Sequence, residues 1–288
     1  MTKPAQVRPA ADLTWKDVPT RTVEVNGTPF AYRELGPRGG TPVVFLHHFT
    51  AVLDDWDPRV IDGIAAHRHV ITFDNRGIGA TGGKVPHTIA EMAADAIAFI
   101  HALGHEHVDL LGFSLGGAVA QEIVLNEPAL VRRLVLTGTG VRGGGGLTKM
   151  PLIVGRAYLK AALTRRDPRH YLFFSRNTVG KRAASDYIAR LRERTNDRDK
   201  PISHQARIAQ LMAIREAGLG TPHELELITQ PTFVANGDHD VMVASSQSHT
   251  LAERIPNAEL TIYHDSGHGG IFQYHQQFVP AVLAFLEQ

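Results

Sequence analysis

The chain carries at residues 108–125 the stretch VDLLGFSLGGAVAQEIVL, in which one serine lies between two apolar segments of different character. Its first segment is short and apolar with some β-branched residues, as in a buried strand. In its last segment the apolar residues recur at helical spacing. It predicts that Ser114 lies on a sharp strand-to-helix turn, with Gly112 and Gly116 where a Cβ would collide with its neighbours. The first N–H groups of the helix would then point toward this serine. Taken alone, the pattern fits either a nucleophile or a solvated serine in a glycine-rich turn.

Two later loops offer the partners that a serine nucleophile needs, a base and an acid that orients the base. His268 follows the strand-like segment 260–263, in a glycine-rich loop, and is the predicted base. The acid would come from the loop after the strand-like segment 231–236, which contains Asp238 and Asp240. Asp238 also fits a turn residue that bonds its own backbone.

The order Ser114, Asp240, His268, with each residue on a loop after a strand, resembles that of the α/β-hydrolase superfamily. The segment VVFLHHF at 43–49 resembles the family's strand followed by His-Gly-x, and DNRGIGAT at 74–81 resembles its Asp-x-x-Gly-x-Gly-x-Ser/Thr loop. The resemblance covers nearly the whole chain apart from the N-terminal stretch. It implies an α/β fold with a mostly parallel sheet of about eight strands, flanking helices and an inserted helical cap. It also places the acid three residues after the glycine that closes the strand, which favours Asp240.

The resemblance further implies an oxyanion hole built from the backbone N–H groups of Leu115 and Phe49. The chain departs from the family at His48, because an imidazole stands where glycine is usual. Either the loop is displaced, or His48 borders the pocket and donates a hydrogen bond. We expect His48 and Phe113 to border the substrate pocket and His47 to hold the loop structurally.

Strand-like and helix-like segments alternate along most of the chain, which is typical of a parallel sheet covered by helices. The alternation stops between Leu136 and Pro231. We therefore predict a hydrolase core made of residues 1–140 and 221–288, with a helical cap at 141–220. Cap helices are predicted at 152–163, 168–174, 181–194 and 203–215. The cap is rich in arginine and lysine, which fits either a solvated helical face or a surface that attracts anionic substrates.

The N-terminal part divides into an arm and a hairpin. Residues 1–20 are expected to form a loosely held arm. After them, alternating polar and apolar residues on both sides of Asn26-Gly27 predict a β-hairpin. The first residues do not resemble a signal peptide, and no apolar run approaches the ~20 residues needed to cross a bilayer. A cytoplasmic location without a membrane partner is the expectation.

Composition fits one enzyme-sized unit, since 288 residues can bury a large α/β core plus a lid. The formal net charge of +1 gives no general attraction for nucleic acid, and the absence of cysteine excludes a disulfide framework. His101, His105 and His107 lie at the end of a predicted helix, where cationic groups stabilise the last turn without a metal. We expect no metal or cofactor, and either a monomer or a homodimer.

Together with the resemblance, these residues predict a carboxylesterase-like serine hydrolase that cleaves a small to medium ester or lactone through an acyl-enzyme on Ser114. Serine at this turn argues against relatives that open epoxides or displace halide, because those use aspartate there. Three alternatives stay open. They are a cofactor-free haloperoxidase or perhydrolase, a carbon–carbon bond hydrolase with the same three residues, and a non-catalytic relative that binds a ligand.

Overall fold

A computed structural model describes residues 13–144 and 146–288. Its strands are β1 (Arg21–Val25), β2 (Thr28–Leu35), β3 (Val43–Leu46), β4 (Val70–Phe73), β5 (Val108–Phe113), β6 (Val131–Thr137), β7 (Thr232–Gly237) and β8 (Ala258–Tyr263). Within the described residues they form one eight-stranded sheet in the order β1-β2-β4-β3-β5-β6-β7-β8. β2 pairs antiparallel with both β1 and β4, whereas the six strands β4, β3, β5, β6, β7 and β8 pair in parallel. The predicted mostly parallel α/β sheet is confirmed.

Helices connect the strands. They are α1 (Pro58–Ala65), α2 (Ile89–Ala102), α3 (Leu115–Asn126), α4 (Met150–Thr164), α5 (Arg169–Leu172), α6 (Thr178–Leu191), α7 (His204–Leu219), α8 (Ser245–Arg254), α9 (Gly270–Gln273) and α10 (His275–Glu287). α2 packs against α3, and α1 packs against α10. None of the helices in the described part of the chain combines the length and apolar character that a membrane span requires.

The first hairpin follows directly from its turn residues. Asn26 and Gly27 adopt φ angles of 49° and 76°, the left-handed region that a two-residue type I′ turn requires at both positions. β1 and β2 pair antiparallel from Arg21 opposite Tyr32 to Val25 opposite Thr28. The predicted hairpin is therefore confirmed.

The expected loose arm is wrong for residues 13–20, and residues 1–12 lie outside the described residues. Trp15 and Val18 are buried. The backbone N–H of Trp15 donates to the Asp62 carboxylate at 2.6 Å, and the Arg194 guanidinium donates to the backbone carbonyl of Val18 at 2.9 Å. The segment is held because its tryptophan packs into the core while charged groups bind its backbone.

The parallel strands determine where the chemistry-bearing loops meet. The carboxyl ends of β3, β5, β7 and β8 share one edge of the sheet, as expected for open α/β sheets. The loops that carry Phe49, Asp240 and His268, and the turn that carries Ser114, leave from that edge. Helices α4 to α7 all lie between β6 and β7.

Candidate active site

Ser114 lies on a strained turn between β5 and α3. Its φ of 56° and ψ of −113° fall outside the usual regions for a residue with a side chain. A Cβ on Gly112 would lie 2.5 Å from the Gly116 carbonyl oxygen, and one on Gly116 would lie 2.0 Å from the Leu46 carbonyl oxygen. Gly112 is therefore needed for β5 to turn closely into α3, and Gly116 for the turn to pack against β3, as the sequence predicted.

His268 and Asp240 form a buried pair. The Nδ1 atom of His268 donates to Oδ2 of Asp240 at 2.7 Å, and both side chains are fully buried. The other carboxylate oxygen of Asp240 accepts from the backbone N–H groups of Met242 and Val243 at 2.7 and 3.0 Å. Three donors thus fix the orientation of this carboxylate, with one of its oxygens on the imidazole.

Asp238 has a different task. Its carboxylate accepts from the backbone N–H groups of Asp265 and Ser266 at 3.0 and 3.1 Å. Burial alone would raise the pKa of Asp238, but these hydrogen bonds and nearby histidines lower it on balance. Asp238 therefore holds the loop that carries His268 in place, while Asp240 contacts the imidazole itself.

Ser114 and His268 line the same cavity, which has a volume of about 370 Å³. Ser114 is 8% exposed. The Nε2 atom of His268 is buried and has no hydrogen-bond partner in the part of the chain that the structure describes. Because Nδ1 carries the proton that Asp240 binds, Nε2 of a neutral His268 has a free lone pair. Hydrogen bonds between a catalytic serine and its base often tighten only when substrate is bound.

The two expected oxyanion donors are held by different elements. Leu115 is the first residue of α3, so its N–H has no helical carbonyl partner. Phe49 lines the cavity on the loop after β3. That loop is held at Thr50, which adopts a φ of 67° and donates its N–H to Oε1 of Gln210 at 2.8 Å. Gln210 belongs to α7, so the helical segment between β6 and β7 supports the loop of Phe49.

Phe113 does not line the cavity, and the expectation that it would is wrong. It is fully buried, and its ring packs 4.9 Å from the His268 ring and 5.3 Å from the His48 ring. The side chains of adjacent residues leave the backbone in different directions, so Ser114 faces the cavity while Phe113 supports its walls from behind. His48 does line the cavity, as expected.

Phe173 takes the place that Phe113 was expected to fill. It follows α5, lines the cavity and packs 5.4 Å from the His268 ring. Its backbone carbonyl accepts from the Gly269 N–H at 2.7 Å, and a Cβ on Gly267 would lie 2.8 Å from the same carbonyl oxygen. The glycines around His268 thus allow the segment after α5 to lie directly on the histidine loop.

The part of the cavity formed by the helical segment is strongly charged. Arg169 donates through Nε and Nη2 to Asp167, at 2.9 and 2.7 Å, and through Nη1 to Asp55. Burial opposes its charge, but these carboxylates raise the pKa of Arg169 well above its usual range. Further charged groups lining the cavity are Asp54, Arg198 and Asp199.

A second, smaller recess of about 30 Å³ also reaches Ser114. Its walls are mostly apolar. They include Leu115, Ala118, Met150, Ile214 and Val243. Ser114 therefore borders both a charged cavity and a small apolar recess.

The motif at 74–81 folds back on the loop that follows Phe49. Oδ1 of Asp74 accepts from the Leu53 N–H at 3.0 Å, and Oδ2 accepts from the Ala80 N–H at 3.3 Å. Burial and the adjacent carboxyl of Asp199 raise the pKa of Asp74 well above its usual range. The motif acts as a structural support.

Comparison with known proteins decides the family. The family model for the alpha/beta hydrolase fold matches residues 41–273. The chain belongs to the α/β-hydrolase family. A solved α/β-hydrolase fold protein from Chitinophaga pinensis is 36% identical and superimposes with a TM-score of 0.92, over 96% of this chain and 100% of that one.

Two sequence relatives of this α/β hydrolase are named for different reactions. A non-heme chloroperoxidase from Streptomyces lividans is 27% identical over 275 residues, which are 91% of this chain and 97% of that protein. The RutD protein of Caulobacter sp. (strain K31), a provisionally assigned carbamate hydrolase, is 28% identical over 241 residues, or 80% of this chain and 85% of that protein. Family membership establishes a hydrolase fold and leaves the reaction to be argued from the site.

Three further histidines of this α/β hydrolase have structural contacts. His47 is buried with Nε2 4.0 Å from Oδ1 of Asp74, and burial lowers the pKa of His47 to about 3. His101 pairs with Glu127 at 2.9 Å, and Nδ1 of His107 donates to a backbone carbonyl at 3.0 Å. Among the described residues, no three His, Cys, Asp or Glu side chains gather as a metal site would require.

Sequence reasoning missed the charged lining and Gln210. The sequence contains one indication of the charged lining, because the acidic residues Asp54 and Asp55 directly follow the loop of Phe49. Nothing in a single sequence links Asp55 to Arg169, which lies 114 residues away.

Proposed function

We propose that the protein is a serine hydrolase that cleaves a carboxylic ester or lactone through an acyl-enzyme on Ser114. One observation carries the proposal: His268, held by the buried carboxylate of Asp240, lines the same cavity as a serine on a strained strand-to-helix turn. A binding site alone would not need a free imidazole nitrogen beside such a serine.

Acylation begins when the Ser114 hydroxyl attacks the substrate carbonyl carbon and Nε2 of His268 takes its proton. Asp240 holds the imidazole in the tautomer that leaves Nε2 free, and it stabilises the imidazolium that forms. The backbone N–H groups of Leu115 and Phe49 bind the oxygen of the tetrahedral intermediate, where each donor contributes roughly 100-fold or more in rate. His268 then returns the proton to the leaving alkoxide.

Deacylation repeats these steps with water. His268 takes a proton from the attacking water, the same two N–H groups bind the second oxyanion, and Ser114 regains its proton as the acid leaves. We propose that α4 to α7 act as a cap over this site, since Phe173 covers His268 and Gln210 supports the loop of Phe49. The cap would limit the size of the alcohol and acyl groups.

The test is hydrolysis of p-nitrophenyl esters from acetate to decanoate by the wild type, Ser114→Ala and Ser185→Ala. Ser185 is an exposed serine of α6 whose hydroxyl donates to the Lys181 carbonyl, so it is a matched control outside the cavity. We expect Ser114→Ala to abolish both turnover and labelling by a fluorophosphonate, and Ser185→Ala to keep both. Absence of turnover and of labelling in the wild type would reject the proposal.

Perhydrolysis is a second candidate, favoured by the Streptomyces lividans chloroperoxidase, which matches over 91% of this chain. Here hydrogen peroxide would replace water at the acyl-enzyme, so that a carboxylic acid and peroxide give a peracid and water. Phe49 places an aromatic side chain beside the oxyanion loop and would disfavour water there. Peracid formation from acetate and peroxide that disappears in Ser114→Ala would support this reaction.

A further inference from the structure

The cavity contains a second buried imidazole that the mechanism does not use. His48 lines the cavity with Ser114 and His268 and is 3% exposed. Its ring lies nearly perpendicular to two aromatic rings, that of Phe113 at 5.3 Å and that of Phe173 at 5.1 Å. Both of those rings also contact His268. His48 therefore belongs to the same aromatic cluster as the proposed base.

One hydrogen bond determines the tautomer of His48. Its Nδ1 atom lies 2.8 Å from the backbone carbonyl oxygen of Phe49. A carbonyl oxygen only accepts, so Nδ1 carries a proton and donates. Burial lowers the pKa of His48 to about 4, although Asp55 and the Phe49 carbonyl act in the opposite direction. The ring is neutral at pH 7, and Nε2 therefore has a lone pair and no proton.

This arrangement reverses the role expected from the sequence. A neutral imidazole whose only proton is already bound to Phe49 cannot donate to an oxyanion. Nε2 of His48 is instead an acceptor, and it has no hydrogen-bond partner among residues 13–144 and 146–288. An unsatisfied buried polar atom costs free energy, so a native protein normally gives it a water or a ligand.

The position of His48 indicates which part of a substrate would meet Nε2. His48 lines the cavity together with Ser114, whose hydroxyl is proposed to attack the carbonyl carbon, so the imidazole borders the space around that carbon. The two rings against His48 are apolar and offer no competing donor. A hydroxyl on the acyl chain would supply the missing donor.

We propose that Nε2 of His48 accepts a hydrogen bond from a hydroxyl on carbon 2 or 3 of the acyl group, so that the enzyme prefers hydroxyacyl esters or lactones. This inference rests on the proposed function and adds the substrate class. A site built around a hydrogen bond to a substrate hydroxyl rejects analogues without it, because its own polar group is then left unpaired.

The test compares three methyl esters that differ only at carbon 3 of the acyl group, namely 3-hydroxybutyrate, 3-methoxybutyrate and butyrate. Methyl 2-hydroxybutyrate is added to test a hydroxyl on carbon 2. Each kcat/KM is divided by the alkaline hydrolysis rate of the same ester, which removes differences in intrinsic reactivity. The methoxy ester keeps an oxygen at carbon 3 but has no donor. We expect at least one hydroxy ester to exceed butyrate by about tenfold or more, and the methoxy ester to gain nothing.

Two variants assign the preference to His48. His48→Phe keeps an aromatic ring against Phe113 and Phe173 but has no acceptor, and should reduce the ratio of hydroxy to unsubstituted ester to about one. His48→Gln keeps an acceptor and should retain a preference. If His48→Phe does not fold, the Gln variant and the methoxy comparison in the wild type still test the inference.

The outcomes separate the two proposals. Turnover of all esters with equal corrected rates for hydroxy, methoxy and unsubstituted acyl groups would overturn the inference and leave the serine hydrolase intact. A hydroxy preference that persists in His48→Phe would also overturn it. No turnover of any ester, with no fluorophosphonate labelling of Ser114, would reject the hydrolase and the inference together.

Discussion

The loops at the edge of the sheet and the helical segment between β6 and β7 are held in place by different kinds of bond. In the loops, carboxylates accept from backbone N–H groups, as Asp240 does from Met242 and Val243. In the helical segment, arginines reach across to carboxylates of the core, as Arg190 does to Asp57. The loops determine the position of the proposed reacting groups, and the ionic pairs determine the position of the helical segment. A substitution that breaks the loop hydrogen bonds should lower kcat. A substitution that breaks an ionic pair of the helical segment should lower the free energy of unfolding and change KM.

The largest effect should come from the acid of the loops. Asp240→Asn removes the charge beside His268 and favours the wrong imidazole tautomer, so we expect kcat to fall about 10⁴-fold, which corresponds to about 5.5 kcal/mol in the barrier. Asp238→Asn is the matched control, because Asp238 lies two residues away and binds the backbone of the histidine loop and the His264 imidazole rather than His268. Steady-state kinetics and thermal unfolding of both variants test the assignment. Equal losses of kcat in the two variants would contradict it.

The next effect tests the ionic side of the comparison. Asp57 is fully buried, and Arg190 binds both of its oxygens at 2.7 to 3.1 Å. Arg190→Met leaves that carboxylate without its cation, so we expect the free energy of unfolding to fall by about 3–5 kcal/mol. Arg182→Met in the same helix removes an ion pair with Asp186, in which the two atoms lie 3.9 Å apart and the arginine side chain is 87% exposed. This variant should change the free energy of unfolding by less than about 1 kcal/mol. Urea unfolding of both variants measures the difference.

A smaller effect should appear as pH dependence at the loop of Phe49. The unfolded state binds a proton at His48 below pH 6.5, but in the folded state the imidazole stays neutral until about pH 4. The unfolded state thus holds more protons in this window, and stability falls as pH falls through it. At pH 5 this single histidine destabilises the fold by about 2 kcal/mol relative to pH 7.5.

His48→Phe removes that proton uptake. The variant should lose less stability than the wild type between pH 7.5 and pH 5, by about the same 2 kcal/mol. Urea unfolding at both pH values gives the comparison. Parallel pH curves for the two proteins would show that His48 is not a buried neutral imidazole.

The same contrast explains what the sequence could predict. The turn at Ser114 and the hairpin at Asn26-Gly27 depend on local backbone geometry, so their residues indicate their structure. The choice of Asp240 follows from the spacing that the resemblance to the α/β-hydrolase family implies for the acid, and in the structure Asp240 contacts His268. These features need no knowledge of distant residues.

The contacts of the helical segment with the core could not be predicted in this way. A pair such as Arg190 and Asp57 joins residues 133 positions apart, and nothing in either local sequence names the partner. The surplus of basic residues therefore suggested a solvated or steering surface, whereas the side chains of Arg169, Arg190 and Arg194 are 24%, 14% and 5% exposed and pair with core carboxylates. Phe113 was misplaced because sequence adjacency to Ser114 does not tell which way a side chain points.

The smallest prediction compares one glycine from each region. Gly155 lies exposed in the middle of α4 with nothing within 4 Å of an added Cβ, whereas a Cβ on Gly116 would lie 2.0 Å from the Leu46 carbonyl oxygen. Alanine is favoured over glycine in a helix interior, so Gly155→Ala should raise the free energy of unfolding by about 0.5–1 kcal/mol with unchanged kinetic constants. Gly116→Ala should destabilise the protein and lower kcat, since β3 or the turn must move. If Gly155→Ala instead changed KM, helix α4 would have to shift relative to the site. The helical segment and the proposed reacting groups would then be coupled more closely than the ionic pairs between segment and core imply.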